Sequence, residues 1–344
     1  MTHSSVLQLI NDHYFIEKYG SGKLVETHIS WVILTNEVVF KIKKPHNYSF
    51  LDFSTLNQRK YFCQRELKLN RRLAADMYLA VVAVTEENGR VFIEYGNKQI
   101  IDYAVKMKRM DETRQMNLLI EKGEITQEHL EQIAKQLAKF HQNTDKIKVA
   151  PDMNTMSHDF SDILNVKDFI ESHLGQQEAQ IITDAVHFSK EFLSAYFEHI
   201  TERHKYGFTI DGHGDLYSQN IFLPKNGAPI IFDCIEFNDH LRHIDVLNEL
   251  AFFCMDLDYY KKSGLADYFI HHYNHINNCL LSQEDHYLFQ YYKLYRANIR
   301  AKVGALKAMQ IKEKAQLKKQ LDFVNAYLLL MKKYLTGSLT NALI

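Results

Sequence analysis

The stretch His213-Gly214-Asp215-Leu216-Tyr217-Ser218-Gln219-Asn220, followed at Ile231-Phe232-Asp233, decides how this chain reads. It sets a carboxylate, an amide five residues later, and a second carboxylate beyond a short hairpin. The hairpin is announced by two β-rich runs, Ile221 to Leu223 and Pro229 to Phe232, joined by Pro224-Lys225-Asn226-Gly227. Asn-Gly is a strong signal for a tight turn between strands. Such a fold-back lets all three polar side chains converge at one rim. Transfer of a phosphoryl group from ATP needs that set: one Asp to orient an attacking hydroxyl and accept its proton, and an Asn with an Asp to hold Mg²⁺ on the phosphates.

Upstream lies a second, independent feature. From Leu24 to Lys43 the residues form short β-rich runs, Ile29 to Leu34 and Val38 to Ile42, with Thr35-Asn36-Glu37 as the turn between them. Ser54 to Ala75 then reads as a helix, because Thr55 and Gln58 have capping-box spacing and Leu56, Phe62, Leu69 and Leu73 recur near the helical period. Further strands are predicted at Tyr78 to Thr85, Val91 to Glu94 and Ile100 to Met107. On the helix, Phe62, Glu66, Leu69 and Leu73 are spaced 4, 3 and 4, so a carboxylate falls within the apolar stripe. No cation stands at the helical spacings that would let it pair locally. A buried carboxylate is costly unless paired, so a cation from elsewhere is expected. Lys41, central in Val38-Val39-Phe40-Lys41-Ile42, is the candidate.

Beyond residue 108 the pattern is helical: Thr126 to Thr144, Ser161 to Ile200 in pieces, Asp245 to Tyr260, Gly264 to Asn278, and Glu284 to Tyr334. The chain has 344 residues, 46 % of them hydrophobic, enough for two lobes or domains and too apolar for disorder. Only 13 glycines and 4 prolines disfavour turn-dense all-β or collagen-like architectures. A net charge of −1 argues against a general nucleic-acid binder. Four dispersed cysteines, with no C-x-x-C pair, suggest reduced thiols in the cytoplasm. No apolar run approaches the roughly 18 residues of a membrane span, and Met1 to Phe15 carries only a short apolar patch. His271 and His275 have the spacing of a metal pair, but neither H-E-x-x-H nor a third ligand accompanies them.

The pattern His213-Gly214-Asp215, Asn220 and Asp233, with the strand lysine Lys41, resembles the aminoglycoside phosphotransferase family of the protein-kinase-like fold. The runs Thr27 to Val32, Phe40 to Pro45, Phe50 to Ser54 and Phe232 to Asp239 are similar to an uncharacterised bacterial branch of that family, whose longer members carry an added P-loop domain. The resemblance spans about residue 20 to about residue 310. It implies an α+β, bilobal kinase-like fold, with a small β-rich nucleotide lobe over residues 1–108 and a helical catalytic and substrate lobe over 109–344, the ATP cleft lying between. By position it implies that Asp215 is the catalytic base, that Asn220 and Asp233 are Mg²⁺ ligands, that Lys41 contacts the ATP phosphates and that Glu66 orients Lys41. Glu236 and Asp245 match acidic positions of the family, and Asp245 is equally suited to capping the helix that starts there.

Departures narrow the reading. No G-x-G-x-x-G precedes Lys41, so the turn around Thr27 to Ser30 would have to cover the phosphates, with less close backbone approach than glycine permits. Gly20-Ser21-Gly22-Lys23 is not a P-loop, since residue 17 is Glu and residue 24 is Leu, and no GxxxxGK[ST] occurs in the sequence. Tyr217 stands where protein kinases carry a lysine, Asp233 is not followed by Phe-Gly, and no Ala-Pro-Glu is present, so a small-molecule hydroxyl acceptor fits better than a protein. The expected function is ATP- and Mg²⁺-dependent phosphoryl transfer. The alternatives are a catalytically weak nucleotide-binding regulatory module of the same fold and an interaction protein using its basic C-terminal helices. Residues 236–285 hold nine acidic against three basic residues, and 286–336 hold eleven basic against two acidic. The acidic block is compatible with a polycationic acceptor; the Arg296, Arg300 and Lys302 cluster offers a site for an anionic substrate, but pairing with the acidic block is expected of it instead.

Overall fold

Strand formation follows the alternation of Val38-Val39-Phe40-Lys41-Ile42-Lys43, which sends Phe40 and Ile42 to one face of a sheet and Val39, Lys41 and Lys43 to the other. The computed structural model describes residues 1–48, 51–95, 98–337 and 339–343; Phe50 of the run Phe50 to Ser54 lies outside the described residues. Two compact units divide the chain, Met1–Lys122 with Gln219–Arg242, and Gly123–Ser218 with His243–Ile344.

The first unit begins with α1 (His3–Asn11) and α2 (His13–Tyr19), capped by the side chains of Thr2 and Asp12. Neither helix is visible in the sequence, because segments this short show no period of their own. They form by laying Val6, Leu9 and Phe15 on Trp31, Ile33, Phe40 and Ile42 of the sheet. Next come β1 (Lys23–Glu26), β2 (Ser30–Leu34) and β3 (Val38–Lys43), then a small hairpin of β4 (Asn47–Tyr48) and β5 (Leu51–Asp52). After α3 (Leu56–Ala74), strands β6 (Tyr78–Glu87), β7 (Arg90–Ile93) and β8 (Gln99–Lys108) complete an antiparallel sheet in the order β1-β2-β3-β8-β6-β7. The short helix α4 (Met116–Lys122) follows.

Thr55 caps α3, its hydroxyl accepting the Gln58 amide at 3.2 Å, and Arg71 and Arg72 sit in the last turn where the helix dipole favours cations. The buried face of α3 runs through Arg59, Cys63, Glu66, Leu69, Asn70, Leu73 and Ala74, so Glu66, Leu69 and Leu73 of the predicted stripe are buried and Cys63 takes the place of Phe62, which is only half-buried. Each polar member of that face is satisfied: Arg59 Nε donates to Asp102 at 2.8 Å, and Asn70 accepts the Cys234 amide at 2.9 Å. The α3 side of the sheet is filled by Val39, Cys63, Met77, Tyr78, Val105 and Met107, and Phe222 of the returning segment joins them.

The second unit is helical. Its first half contains α5 (Gln127–Asn143), started by a capping box of Thr126 and His129, then α6 (Met153–Ser161), α7 (Lys167–Leu174) and the 30-residue α8 (Gln176–Lys205), ending at β9 (Thr209–Asp211). The chain then contributes β10 (Ile221–Phe222) and β11 (Ile230–Ile231) to the first unit, as an antiparallel hairpin about Asn226-Gly227. It resumes at β12 (His243–Asp245), paired antiparallel with β9, and continues through α9 (Val246–Tyr259), α10 (Ser263–Ile276), α11 (Gln283–Ala308) and α12 (Lys314–Thr336). Every residue from Val246 to Asp258 of α9 is buried, marking it as the central helix of this unit. The single helical stretch predicted from Glu284 to Tyr334 is broken at Met309 to Glu313, where the Glu313 carboxylate accepts the Ala315 and Gln316 amides at 2.8 and 2.7 Å and starts α12 afresh. No helix among the described residues is long and apolar enough to cross a membrane.

Candidate active site

In the first unit, alternation along β3 aims Lys41 and Lys43 at α3, and Glu66 meets both. Lys41 Nζ lies 2.9 Å from Glu66 Oε1 and 2.7 Å from Asp233 Oδ1, while Lys43 Nζ lies 2.7 Å from Glu66 Oε2 and also pairs with Glu236. The cation expected for Glu66 is therefore Lys41 together with a second lysine. Lys43 follows Lys41 by two residues in a strand and so shares its face, which is the signal in the sequence that points to it. The result is a continuous chain of alternating charge, Asp233, Lys41, Glu66, Lys43 and Glu236, shut off from solvent at Glu66 and Lys43 and open at Asp233, whose side chain is 43 % exposed.

Burial disfavours the Lys41 ammonium, but the carboxylates of Asp233, Glu66 and Glu236 outweigh it and hold the group well above its ordinary value. Burial pushes Glu66 up, and Lys41 and Lys43 together pull it below the usual carboxylate range. Glu236 is raised, by burial first and then by the nearby charge of Glu66, which Lys43 only partly offsets.

The β10–β11 hairpin fixes the other residues of this unit. The Phe232 amide donates to the Asn220 carbonyl at 2.9 Å, so Asn220 and Asp233 flank the same end of a two-stranded ladder. Asp233 adopts φ +62°, in the left-handed region that a non-glycine residue occupies at a cost, and its amide donates to the Tyr78 hydroxyl at 3.3 Å. Backbone strain on an exposed carboxylate beside a lysine is the kind found at functional positions.

Asp215 belongs to the helical unit, in a loop held from three directions. Glu249 of α9 accepts the amides of His213 at 2.8 Å and Gly214 at 2.9 Å, and His141 Nε2 lies 3.1 Å from its other oxygen. Arg296 of α11 donates to the Gly214 carbonyl at 3.1 Å, and Asp256 accepts the Ser218 amide at 2.9 Å. Gly214 has φ +84°. Gly212 has no room for a side chain: a Cβ there would stand 2.5 Å from Glu249 Oε2. Burial pushes Glu249 up, but the His141 hydrogen bond and the backbone amides win and hold it at about 2. Glu249, His141, Arg296 and Asp256 carry no motif of their own, and only their distance from Asp215 in space reveals them. Asp245 caps α9 through the Leu247 amide at 2.7 Å and pairs with Arg203 through both oxygens.

No family model matches the sequence. Uncharacterized proteins of Mycobacterium bovis and Mycobacterium tuberculosis are 31 % identical to it over 293 residues, covering 84 % of this chain and 56 % of theirs, so the chain spans little more than half the length of these curated relatives. Among solved structures, a choline kinase of Cryptosporidium parvum superposes with a TM-score of 0.56 at 10 % identity, covering 92 % of this chain and 90 % of that one. A GDP complex of an aminoglycoside 2′-phosphotransferase gives 0.52 at 13 % identity, over 95 % of this chain and 98 % of that one. The chain has the aminoglycoside-phosphotransferase-like kinase fold. A glucosamine kinase with glucosamine, ADP and inorganic phosphate is a further structure similar to it, with a TM-score of 0.53 at 11 % identity over 94 % of this chain and 82 % of that one. The kinase-like fold accounts for the mixed α+β content, with an antiparallel sheet in the first unit and helices in the second.

Proposed function

We propose that this chain is a small-molecule kinase that moves the γ-phosphoryl group of ATP to a hydroxyl, the first unit serving the nucleotide and the helical unit the acceptor. The observation that carries the reading is Lys41 set between a buried Glu66 at 2.9 Å and the strained, accessible Asp233 at 2.7 Å. A strand lysine oriented by a helix glutamate is what contact with nucleotide phosphates needs. In this reading Asp233 and Asn220 hold Mg²⁺. Both offer oxygen, the donor that Mg²⁺ prefers, and Mg²⁺ is ordinarily held by one or two protein groups with phosphates and water completing its shell. When bound, the metal would neutralise charge on the phosphates.

The acceptor oxygen forms a bond to the γ-phosphorus as the bond from that phosphorus to the β,γ-bridging oxygen breaks. ADP leaves, and the hydroxyl proton passes to the Asp215 carboxylate. Most of the acceleration would come from positioning and electrostatics, which suits a loop pinned by Glu249, Arg296 and Asp256. One observation favours the alternative of a catalytically weak nucleotide-binding regulatory module: the turn between β1 and β2 spends its Ser30 amide on the Thr27 hydroxyl at 2.9 Å, leaving that amide unavailable to a phosphate.

Calorimetric titration of ATP with and without Mg²⁺, on wild type and Asp233→Asn, tests the nucleotide site. Metal-dependent binding that weakens in the variant is expected. With labelled ATP and an acceptor screen, Asp215→Ala should lose turnover by roughly 10²–10⁴-fold, the usual contribution of a general base, while keeping its ATP affinity. Wild-type turnover in that variant would end the assignment, and binding without transfer to any acceptor would favour the regulatory module.

A further inference from the structure

Arg296 and Arg300 stand one turn apart on α11, on the helix face beside the Asp215 loop. Their expected partners, the buried acidic residues of 236–285, are engaged elsewhere. Asp245 and Asp285 pair with Arg203, Asp258 pairs with Lys293 at 2.5 Å, and Glu249 and Asp256 accept backbone amides of the Asp215 loop. The buried part of the block is consumed inside the fold, while Asp267 and Glu284 stay exposed on α10 and in the first turn of α11. Of the three late basic residues, Lys302 finds a carboxylate, Asp162 at 2.6 Å, which lies outside that block. Among the described residues neither Arg296 nor Arg300 makes an ion pair.

The two guanidinium groups differ in what they do. Arg296 spends its donors on the Gly214 carbonyl at 3.1 Å and Asn248 Oδ1 at 2.7 Å, and so positions the loop. Arg300 lies 4.6 Å over the ring of Tyr217, two residues after Asp215, with the rings of Phe323 and Tyr327 at 5.3 and 5.7 Å, and its Nε is buried without a hydrogen-bond partner. Aromatic faces stabilise a cation but do not neutralise it; Arg300 also hydrogen-bonds the Tyr327 hydroxyl and feels the charge of the Asp215 carboxylate, and it is Nε that stays without a partner. An unpaired guanidinium donor beside a reacting group is a cost that a bound anion would relieve, since the planar fork matches carboxylate and phosphate.

We propose that Arg300 receives an anionic group, a carboxylate or a phosphate ester, of the phosphoryl acceptor, so that the substrate is a negatively charged hydroxyl compound. The inference rests on the reading of Asp215 as the group that faces the acceptor hydroxyl. An amino sugar or a quaternary amine would bring a second cation against Arg300 instead.

The test is a matched series on one six-carbon scaffold: gluconate, glucose 6-phosphate, glucose and glucosamine. Each is titrated calorimetrically into the full chain as wild type, Arg300→Met and Arg300→Lys, with circular dichroism confirming that the variants fold. At least one of the two anions should bind on the order of tenfold or more tighter than glucose and glucosamine, weaken on the order of tenfold to a hundredfold in Arg300→Met, and recover in part in Arg300→Lys. Comparison of the two anions separates carboxylate from phosphate ester. Glucose or glucosamine binding as tightly as both anions, or no Arg300-dependent binding of either anion at millimolar concentration, overturns the proposal. Transfer from labelled ATP separates the two layers. Arg300-dependent anion binding with no phosphoryl transfer keeps the anion site and removes the kinase reading, whereas transfer preferentially to glucosamine or glucose keeps the kinase reading and removes the anion site.

Discussion

Glu66 and Lys43 are joined by a fully buried ion pair of 2.7 Å, and this pair leaves the second oxygen of Glu66 to Lys41 at 2.9 Å. The glutamate is thus fixed from behind by one lysine while it orients another. Two lysines against three carboxylates leave the network one negative charge in excess, and Asp233 is its solvent-facing end. A divalent cation or the environment of a nucleotide would act on that end first.

Lys43→Met leaves Glu66 and Glu236 facing each other inside the protein. Breaking one side of a buried pair costs about 3–5 kcal/mol, and a drop of that size in urea-unfolding free energy is expected. Lys43→Met with Glu236→Gln removes a charge of each sign and should be more stable than Lys43→Met alone by about 1 kcal/mol or more, the coupling expected of groups in one network. Equal stability of the single and double variants would mean that Lys43 and Glu236 do not interact.

Asp233→Gly separates strain from function. Glycine relieves the left-handed φ of +62°, while the ion pair lost with Lys41 involves a carboxylate that is 43 % exposed and contributes little. The variant should unfold within about 1 kcal/mol of wild type yet lose Mg²⁺-dependent ATP binding. Asp233→Ala keeps the strain and should be the less stable of the two. A thermal melt of both variants beside wild type decides the order.

Glu249 gives the fold a pH dependence of definite sign. Its folded-state value of about 2 lies below the ordinary 4.5, so its contribution is present above pH 4.5 and is lost as the pH falls toward 2. The size is about 3 kcal/mol from the linkage of shift to free energy. Glu249→Gln should be less stable than wild type at neutral pH, and the gap should close across that acid window. A gap unchanged with pH would show that the carboxylate charge is not what holds the His213 and Gly214 amides.

Gly212→Ala tests the same support from the other side. Its new methyl would stand 2.5 Å from Glu249 Oε2, so the carboxylate or the loop must shift. Overpacking of this kind costs about 1–3 kcal/mol, and turnover should fall along with it because Asp215 is three residues away in the displaced loop. Unchanged melting and turnover would mean that the loop yields freely.

Elements whose signals are local are legible in the amino-acid order. The alternation of β2 and β3, the capped start of α3 and the Asn-Gly hairpin formed where the residues placed them, because strand period, cap chemistry and turn chemistry act within a few residues. The amino-acid order also required a cation for Glu66, since a carboxylate within an apolar stripe is costly wherever the fold places it. The tertiary structure alone decided the rest. Lys43 rather than Lys41 occupies the sealed end of the charge network because the closing carboxylate is Glu236, 193 residues away. The acidic and basic blocks late in the chain do not simply oppose one another, because Asp245 and Asp285 are taken by Arg203 and Glu249 by backbone amides, leaving Arg300 among aromatic rings. Pairing among buried charges is set by which side chains the packed elements bring within a few ångströms, and composition along the chain carries no record of that distance.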